Sequence, residues 1–269
     1  LPINNFILKK RLLILLLTGF NFADMSAQIN RTISFAANPV VAHRGAFKKN
    51  GFPENSIASL KEAIRLGCTG AEFDVRMTAD DSLVINHDPH HNRLEIEKTS
   101  FAELRHFPLA NGEPLPTLRS YLLAGMERNT HTRLVLEIKP SGISKDRAKI
   151  IAGKVWQLVN ELKAAPWIVY ISFDYEILKE MRRLDPKASL QFLDGNIAPA
   201  QLKADGINGA DYHFSVFKKN PHWIKEAKEN GIVLNAWTVN DEETMRWLIK
   251  EGFDFITTNE PEKILQLAN

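Results

Sequence analysis

Apolar stretches of strand length alternate with longer segments of helical periodicity from residue 38 to the end of the chain. Nearly continuous apolar runs are typical of parallel strands buried on both faces, and apolar positions three and four apart mark the helices that cover them. Eight strands are predicted, at 38–43, 71–75, 133–138, 167–173, 188–193, 210–214, 232–237 and 253–258. Helices are predicted at 55–66, 117–127, 145–163, 175–184, 200–203, 221–230, 242–250 and 262–267. Eight β/α units predict a TIM (β/α)8 barrel, whose first helix Asn55 would cap and Gly67 would end.

One further apolar stretch, 82–87, does not fit this alternation. Only six residues, 76–81, separate it from Val75, whereas a parallel crossover needs about a dozen or more. The polar segment before it instead predicts a hairpin or loop, inserted after the second strand and lying above the barrel. The mostly polar residues 89–116 extend this excursion, and connections of such length are usually functional.

The first 27 residues have the organisation of a secretory leader. Three basic residues, 9–11, precede an apolar run, 12–17, and small residues lead up to Ala27. This order defines a signal peptide, and the apolar run is shorter than the ~20 residues of a spanning helix. We therefore predict cleavage after Ala27 and export, to the periplasm or out of the cell, of a single barrel domain, 28–269, without stable membrane insertion. An uncleaved N-terminal anchor is the alternative.

Composition narrows the possible partners. Apolar residues make up 44% of the chain and charged residues 25%, which is ordinary for a globular domain. The leader accounts for the whole formal net charge of +2, so the remainder has no basic excess that would indicate nucleic-acid binding. Cys68, the single cysteine, cannot form a disulfide within the chain. We interpret it as a small buried apolar residue rather than as a reactive thiol.

Three carboxylates fall near the carboxyl ends of predicted strands, where the active sites of TIM barrels lie. Glu72 and Asp74 stand two apart on one strand and face the same way, and Glu137 stands on the next barrel strand. Converging carboxylates repel one another unless a cation lies among them, and hard oxygen ligands favour Ca²⁺ or Mg²⁺ over zinc. We therefore predict one divalent cation at these three residues. The alternatives are a solvated strand edge for the first two and a buried ion pair with Lys139 for Glu137.

Two histidines and two cationic residues complete the predicted site. His43 ends the first strand, and His87 follows the hairpin. Imidazoles transfer protons near neutral pH because their unperturbed pKa is about 6.5, so both are predicted to act in acid–base catalysis. Arg44 and Lys139 are predicted to bind phosphate. Trp237 is assigned to the substrate wall, with core packing as an equal alternative.

Other polar residues near these motifs are open to two interpretations. Asp88 either orients His87 or caps a turn. Glu54 either supports the metal ligands or serves only the turn before the first helix, and the turn is the simpler account. The remaining six histidines lie outside the motifs and are interpreted as structural or surface residues.

The order of these residues resembles the glycerophosphodiester phosphodiesterase family. The family's opening pattern of HRG, PEN, ExD and HD stands here at 43–45, 53–55, 72–74 and 87–88. Its ExK, SF and WTVN segments match 137–139, 172–173 and 237–240, so the resemblance covers most of 38–267. One departure is Asn259, near which the family usually has an aspartate.

The resemblance implies an enzyme that uses a metal ion to hydrolyse small glycerophosphodiesters to glycerol 3-phosphate and an alcohol. It gives the two histidines, the three carboxylates and the two cationic residues the roles that their chemistry already indicates. The family's favoured scheme is attack by the glycerol 2-hydroxyl through a cyclic phosphate. The sequence is equally compatible with this scheme and with direct attack by water.

Two alternative functions remain. The first keeps the site but takes a lysophospholipid, as a phospholipase D does. Its acyl chain would need an apolar groove, for which the excursion offers Leu94, Ile96, Phe101, Leu104 and Phe107. The second is a noncatalytic binding barrel, against which the complete set of site residues argues. The headgroup, the choice between Ca²⁺ and Mg²⁺ and the oligomeric state are not determined by the sequence.

Overall fold

The structure is a computed structural model that describes residues 32–267, so the predicted leader lies outside the described residues. Its strands in chain order are β1 (Val40–Ala42), β2 (Gly70–Met77), β3 (Leu83–Ile85), β4 (His90–His91), β5 (Leu94–Glu95), β6 (Arg133–Ile138), β7 (Ile168–Ser172), β8 (Leu190–Phe192), β9 (Gly209–His213), β10 (Val233–Trp237) and β11 (Phe255–Thr258). Its helices are α1 (Ile57–Leu66), α2 (Phe101–Leu104), α3 (Leu118–Met126), α4 (Lys145–Glu161), α5 (Tyr175–Leu184), α6 (Pro199–Ala204), α7 (Phe214–Lys219), α8 (His222–Asn230), α9 (Glu242–Lys250) and α10 (Pro261–Leu267).

Eight of the strands form a closed parallel barrel. The order is β1, β2, β6, β7, β8, β9, β10 and β11, and β1 pairs in parallel with both β2 and β11. Helices cover the outside, where apolar side chains of the strands pack against them in one continuous core. The TIM barrel predicted from the sequence is confirmed. Among residues 32–267, no helix is long and apolar enough to cross a lipid bilayer.

The inserted hairpin is also confirmed. Strand β3 pairs antiparallel with the end of β2, and Val75 lies opposite Ile85. The excursion beyond it holds the small β4–β5 ribbon, a 3-10 turn and α2. Its apolar side chains pack against one another in a separate core, in which Ile96 and Leu104 are fully buried and Leu94 and Phe101 are partly buried. These residues therefore do not provide the open acyl groove that the lysophospholipid alternative requires.

Two local predictions were wrong. The sixth barrel strand ends at His213, because α7 begins at Phe214 and the ring nitrogen Nδ1 of His213 accepts a hydrogen bond from the Ser215 backbone. Asn55 is not the cap of α1. Ser56 holds that position, and its hydroxyl accepts a hydrogen bond from the backbone of Ser59. Gly67 ends the helix in a left-handed conformation, as predicted. Cys68 is buried, and burial raises the pKa of its thiol to about 12.

The barrel interior holds both apolar and polar side chains. Apolar side chains fill part of the interior, namely Val41, Val135, Val169, Ile171 and Leu193. The amide of Asn235 donates a hydrogen bond to Gln191 at 3.2 Å and accepts one from the Thr257 hydroxyl at 3.1 Å. These three buried polar side chains therefore satisfy one another within the barrel.

Candidate active site

The three predicted metal ligands lie together at the mouth of the barrel. Asp74 on β2 is in register with Glu137 on β6, and Glu72 lies one pleat below on the same face. One carboxylate oxygen from each of the three lies within 4.8 Å of the others. Each of the three residues is at most 5% exposed, which rules out the solvated strand edge as an explanation.

The charges of these carboxylates are unbalanced. Lys139 Nζ lies 2.8 Å from Asp74 Oδ1 and 2.9 Å from Glu137 Oε1. The buried ion pair that was the alternative for Glu137 is thus present. Arg44 Nε also lies 3.8 Å from Asp74 Oδ2, but this guanidinium is shared with Glu54, so the two cations do not offset all the carboxylates. Within the described part of the chain, Glu137 Oε1 still accepts no hydrogen bond of good geometry. An incompletely satisfied cluster of buried hard oxygens fits a divalent cation such as Ca²⁺ or Mg²⁺.

Proton affinities in the cluster reflect the same imbalance. Burial and the negative charge of Asp74 raise the pKa of Glu137 to about 7. Burial, together with the charges of Asp74 and Glu137, raises the pKa of Glu72 well above its ordinary value. Burial also acts against ionisation of Asp74, but the positive charges of Lys139 and His87 outweigh it and lower its pKa to about 2. Without a cation, the site therefore tends to hold protons on Glu72 and Glu137.

His43 lies beside the carboxylates with one ring nitrogen already engaged. Its Nδ1 lies 2.7 Å from the Asn259 side-chain oxygen, so Nδ1 carries the hydrogen and Nε2 keeps its lone pair. Nε2 lies 4.0 Å from a Glu72 oxygen. Burial and the neighbouring Arg44 lower the pKa of His43 to about 4, so the ring is neutral near pH 7. Asn259, noted above only as a departure from the family pattern, is the residue that orients this histidine.

His87 lines the same cavity and is more exposed than His43. Its Nδ1 lies 2.8 Å from Asp88 Oδ1, which favours orientation of His87 over a turn cap as the role of Asp88. Arg76, a residue that the sequence analysis did not single out, donates two hydrogen bonds to the backbone oxygen of His87, at 2.9 and 2.6 Å. The loop that carries this imidazole is therefore tied to β2.

Arg44 is held in a left-handed conformation, with φ of 55°. Its backbone N–H donates to Glu72 at 2.8 Å, and its guanidinium donates to Glu54 at 2.9 Å. Glu54 therefore supports Arg44 rather than only the turn. The following Gly45 has φ of 79°, and a Cβ there would lie 2.6 Å from the backbone of Ser59, so a larger residue would push α1 away.

Asn55 connects the PEN turn to the metal ligands. Its amide nitrogen donates to Asp74 Oδ2 at 2.8 Å, and its side-chain oxygen accepts from the Asp74 backbone at 3.2 Å. This role depends on a contact with a residue 19 positions away, which a local cap signal cannot indicate. The excursion is attached to the same turn, because Glu113 accepts hydrogen bonds from the first backbone N–H groups of α1.

A cavity of about 120 Å³ joins these groups. Seven of the eight predicted site residues line it, whereas Asp74 lies behind Lys139 and Asn55. The half of the wall away from the carboxylates is largely apolar, and its principal lining residues are Ile171, Phe173, Leu193 and Trp237. Trp237 packs edge-on against Phe173 and His213, so it is part of the cavity wall. His213, a histidine outside the motifs, meets this wall through its contact with Trp237.

Asp211 on β9 is the lining residue that the sequence analysis missed most clearly. It is 1% exposed, and its Oδ1 has no hydrogen-bond partner among the residues that the structure describes. Burial and the charge of Glu137 raise its pKa well above the ordinary value. The available signal was the same as for Glu72, a carboxylate near the carboxyl end of an apolar strand.

Comparison with known proteins agrees with this geometry. Residues 43–263 match the family model of the glycerophosphoryl diester phosphodiesterases. A glycerophosphodiester phosphodiesterase from Caldanaerobacter subterraneus subsp. tengcongensis is 30% identical over 245 residues, which is 85% of this chain and 97% of that one. The crystal structure of a Parabacteroides distasonis glycerophosphodiester phosphodiesterase superimposes with a TM-score of 0.83 at 39% identity, over 87% of this chain and 98% of that one.

A third relative carries a ligand. The structure of an Oleispira antarctica phosphodiesterase, in complex with the product sn-glycerol-3-phosphate, has a TM-score of 0.70 and 25% identity, and it covers 84% of this chain and 95% of that one. The family match spans nearly all of the barrel, including every predicted site residue. The chain therefore belongs to the glycerophosphoryl diester phosphodiesterase family and is a phosphoric diester hydrolase.

Proposed function

We propose that the protein hydrolyses glycerophosphodiesters to glycerol 3-phosphate and an alcohol, and that the reaction needs one Ca²⁺ or Mg²⁺ ion. One observation carries the proposal: three buried carboxylates converge within 4.8 Å beside a cavity that two imidazoles also line. The Oleispira antarctica relative supports the assignment, because it holds the product that this reaction would release.

Glu72, Asp74 and Glu137 would hold the cation. When bound, it would polarise a phosphate oxygen and offset the charge that builds up during displacement. Asn55 keeps Asp74 oriented through its two hydrogen bonds. Lys139 lies between Asp74 and Glu137 and leaves a net negative charge for the ion to neutralise.

His43 is proposed to take the proton from the nucleophile, whether this is the glycerol 2-hydroxyl or water. Its Nδ1 is engaged with Asn259, so Nε2 is the nitrogen with a free lone pair. Its lowered pKa, about 4, keeps the ring unprotonated across the neutral range, which a general base requires. Asn259 acts through His43 and is a positioning residue.

His87 is proposed to protonate the leaving alcohol. Asp88 lies against its Nδ1, so Nε2 is the nitrogen available to a substrate, and hydrogen bonds from Arg76 fix the loop on which it stands. Asp88 would also stabilise the protonated imidazole before it gives up its proton. Arg44 and Lys139 line the same cavity and are proposed to bind the phosphate oxygens.

A substrate without an acyl chain suits the site better than a lysophospholipid. The cavity is small, about 120 Å³, and four of the five apolar residues that the excursion offered are packed in its own core. A noncatalytic barrel is disfavoured because the complete set of charged residues is brought to one cavity.

The experiment is a panel of phosphodiesters assayed for release of glycerol 3-phosphate with Ca²⁺ or Mg²⁺ present. Glycerophosphocholine and glycerophosphoethanolamine are expected to be hydrolysed much faster than lysophosphatidylcholine. The Glu72→Gln variant should be inactive, whereas Glu127→Gln, which removes an exposed carboxylate on the outer surface, should keep full activity. Faster release from lysophosphatidylcholine than from either water-soluble substrate would contradict the proposal.

We also propose that the protein acts outside the cytoplasm. The support is the leader alone, with its basic residues, short apolar run and small residues before Gln28.

A further inference from the structure

Asp211 stands out among the cavity residues because the proposed reaction gives it no role. Its side chain lines the cavity on the half formed by β7 to β10, where its neighbours in the wall are apolar or aromatic. The carboxylates whose ligand atoms lie within 4.8 Å of one another are Glu72, Asp74 and Glu137, so Asp211 is not one of this group. It is a separate buried acid facing the same space.

Its burial is unusual because one of its two carboxyl oxygens, Oδ1, has no hydrogen-bond partner within residues 32–267. The cross-strand neighbour of Asp211 is Asn235, but that amide is already engaged with Gln191 and Thr257. Among the described residues, nothing therefore donates a hydrogen bond to Asp211 Oδ1, although the residue is only 1% exposed. Buried polar atoms are nearly always paired, so an unpaired one beside a cavity indicates a partner that arrives with a ligand.

The surroundings of Asp211 define the shape of that ligand. The indole nitrogen of Trp237 donates to the Asp211 backbone oxygen at 2.8 Å, which fixes the ring beside the carboxyl. The cavity is small, about 120 Å³. A small group with an apolar carbon face for the indole and a hydroxyl for Asp211 fits this arrangement.

A hydroxyl is also the group that a carboxyl recognises in either protonation state, because a hydroxyl both donates and accepts. An ammonium group would need an ionised carboxylate. Headgroups differ from one glycerophosphodiester to another, whereas the glycerol moiety is common to all of them. A fixed carboxyl that binds a hydroxyl would therefore recognise the glycerol moiety.

We propose that Asp211 binds a hydroxyl of the glycerol moiety and so selects glycerol phosphodiesters over other phosphodiesters. This inference rests on the proposed function, and it makes Asp211 a specificity-determining residue rather than a metal ligand. An unpaired buried carboxyl lowers the stability of the fold, and such a loss of stability in favour of recognition is common at binding sites.

The test is a binding measurement that does not depend on turnover. Calorimetry at saturating Ca²⁺ compares glycerol 3-phosphate with propyl phosphate, which lacks both hydroxyls. The native protein should prefer glycerol 3-phosphate by about tenfold or more, the contribution of one buried hydrogen bond. Asp211→Leu, which has a similar volume, should lose the preference, and Asp211→Asn should keep most of it. Asp194→Leu, which changes an exposed aspartate just past β8, should bind as the native protein does.

Stability provides a second readout. Since Asp211→Leu removes an unpaired buried oxygen, its melting temperature should equal or exceed that of the native protein. The inference would be overturned if Asp211→Leu still preferred glycerol 3-phosphate. It would also be overturned if Asp211→Leu and Asp211→Asn both lost affinity equally for the two phosphates and both had a lowered melting temperature. Absence of turnover on every glycerophosphodiester, with the binding preference intact, would sink the proposed function and leave the role of Asp211 standing.

Discussion

Asn55 and Asp74 exchange two hydrogen bonds across 19 residues of sequence. The Asn55 amide donates to Asp74 Oδ2 at 2.8 Å, and its oxygen accepts from the Asp74 backbone N–H at 3.2 Å. One Asp74 carboxylate oxygen thus accepts a hydrogen bond from Asn55 and the other pairs with Lys139, which fixes the orientation of the carboxylate. The turn before α1 therefore belongs to the metal site, although none of its side chains is among the three proposed ligands.

Asn55→Gly should weaken metal binding by about 10–100-fold, as is usual when the hydrogen-bond partner of a metal ligand is lost. Glycine suits the change because Asn55 has φ of 59°, so the backbone is not strained. Asn92→Gly is the matched control, since Asn92 is exposed and also has positive φ, 47°. Calorimetric titration with Ca²⁺ measures both variants. Equal affinities for Asn55→Gly and Asn92→Gly would show that Asn55 does not orient the ligand.

Metal affinity should rise with pH across the neutral range. A cation binds the ionised carboxylates, so protons held by Glu137, with its pKa of about 7, and by Glu72 must leave first. Below about pH 7, each proton that the cation must displace should lower the metal affinity roughly tenfold per pH unit. His43 does not compete, because its pKa is lowered to about 4.

Calorimetry between pH 6 and pH 8, in buffers of different ionisation enthalpy, counts the protons released on binding. Glu137→Gln should bind more weakly and release fewer protons than the native protein. An affinity that does not change over this range would contradict the assignment of protons to the carboxylates.

The two histidines should differ in their response to the leaving group. If His87 protonates the departing alcohol, His87→Ala should be about 10²–10⁴-fold slow on glycerophosphoethanolamine but partly rescued on an aryl ester, whose phenolate leaves without a proton. His43→Ala should be slow on both, because the nucleophile needs activation whatever leaves. Rates of both variants on both substrates, at saturating metal, make the comparison. Rescue of His43→Ala alone on the aryl ester would show that the two histidines have the opposite roles.

Export should be visible at the N-terminus of the mature protein. Cleavage after Ala27 would give a chain that begins near Gln28 and is recovered outside the cytoplasm. Mass spectrometry of protein from the separated cell fractions measures both. An intact leader on cytoplasmic protein would refute the proposal of export.

Periodicity was sufficient to place most of the site. The near-continuous apolar runs located the barrel strands, and the spacing of Glu72 and Asp74 on one strand put both on the same face. Parallel order then brought Glu137 beside Asp74, as its register pairing confirms. These features depend on local repeats and on the rule that active sites lie at the carboxyl ends of barrel strands.

The residues that were missed act through tertiary contacts. Asn55 has the local character of a helix cap, and only the approach of β2 reveals its bond to Asp74. Asn259 meets His43 across the closure of the barrel, where the last strand pairs with the first. Asp211 lies near the carboxyl end of an apolar strand, as Glu72 does, but its strand carries no motif residue that would have drawn attention to this signal.

The measurement that tests the account most directly is release of glycerol 3-phosphate from glycerophosphocholine by chelated protein. Thorough treatment with EDTA should reduce turnover to background, and titration with Ca²⁺ or Mg²⁺ should restore it as one ion binds per chain. Asp74→Asn should not recover at the same metal concentration. Full activity in chelated protein that elemental analysis shows to be free of metal would contradict the central claim.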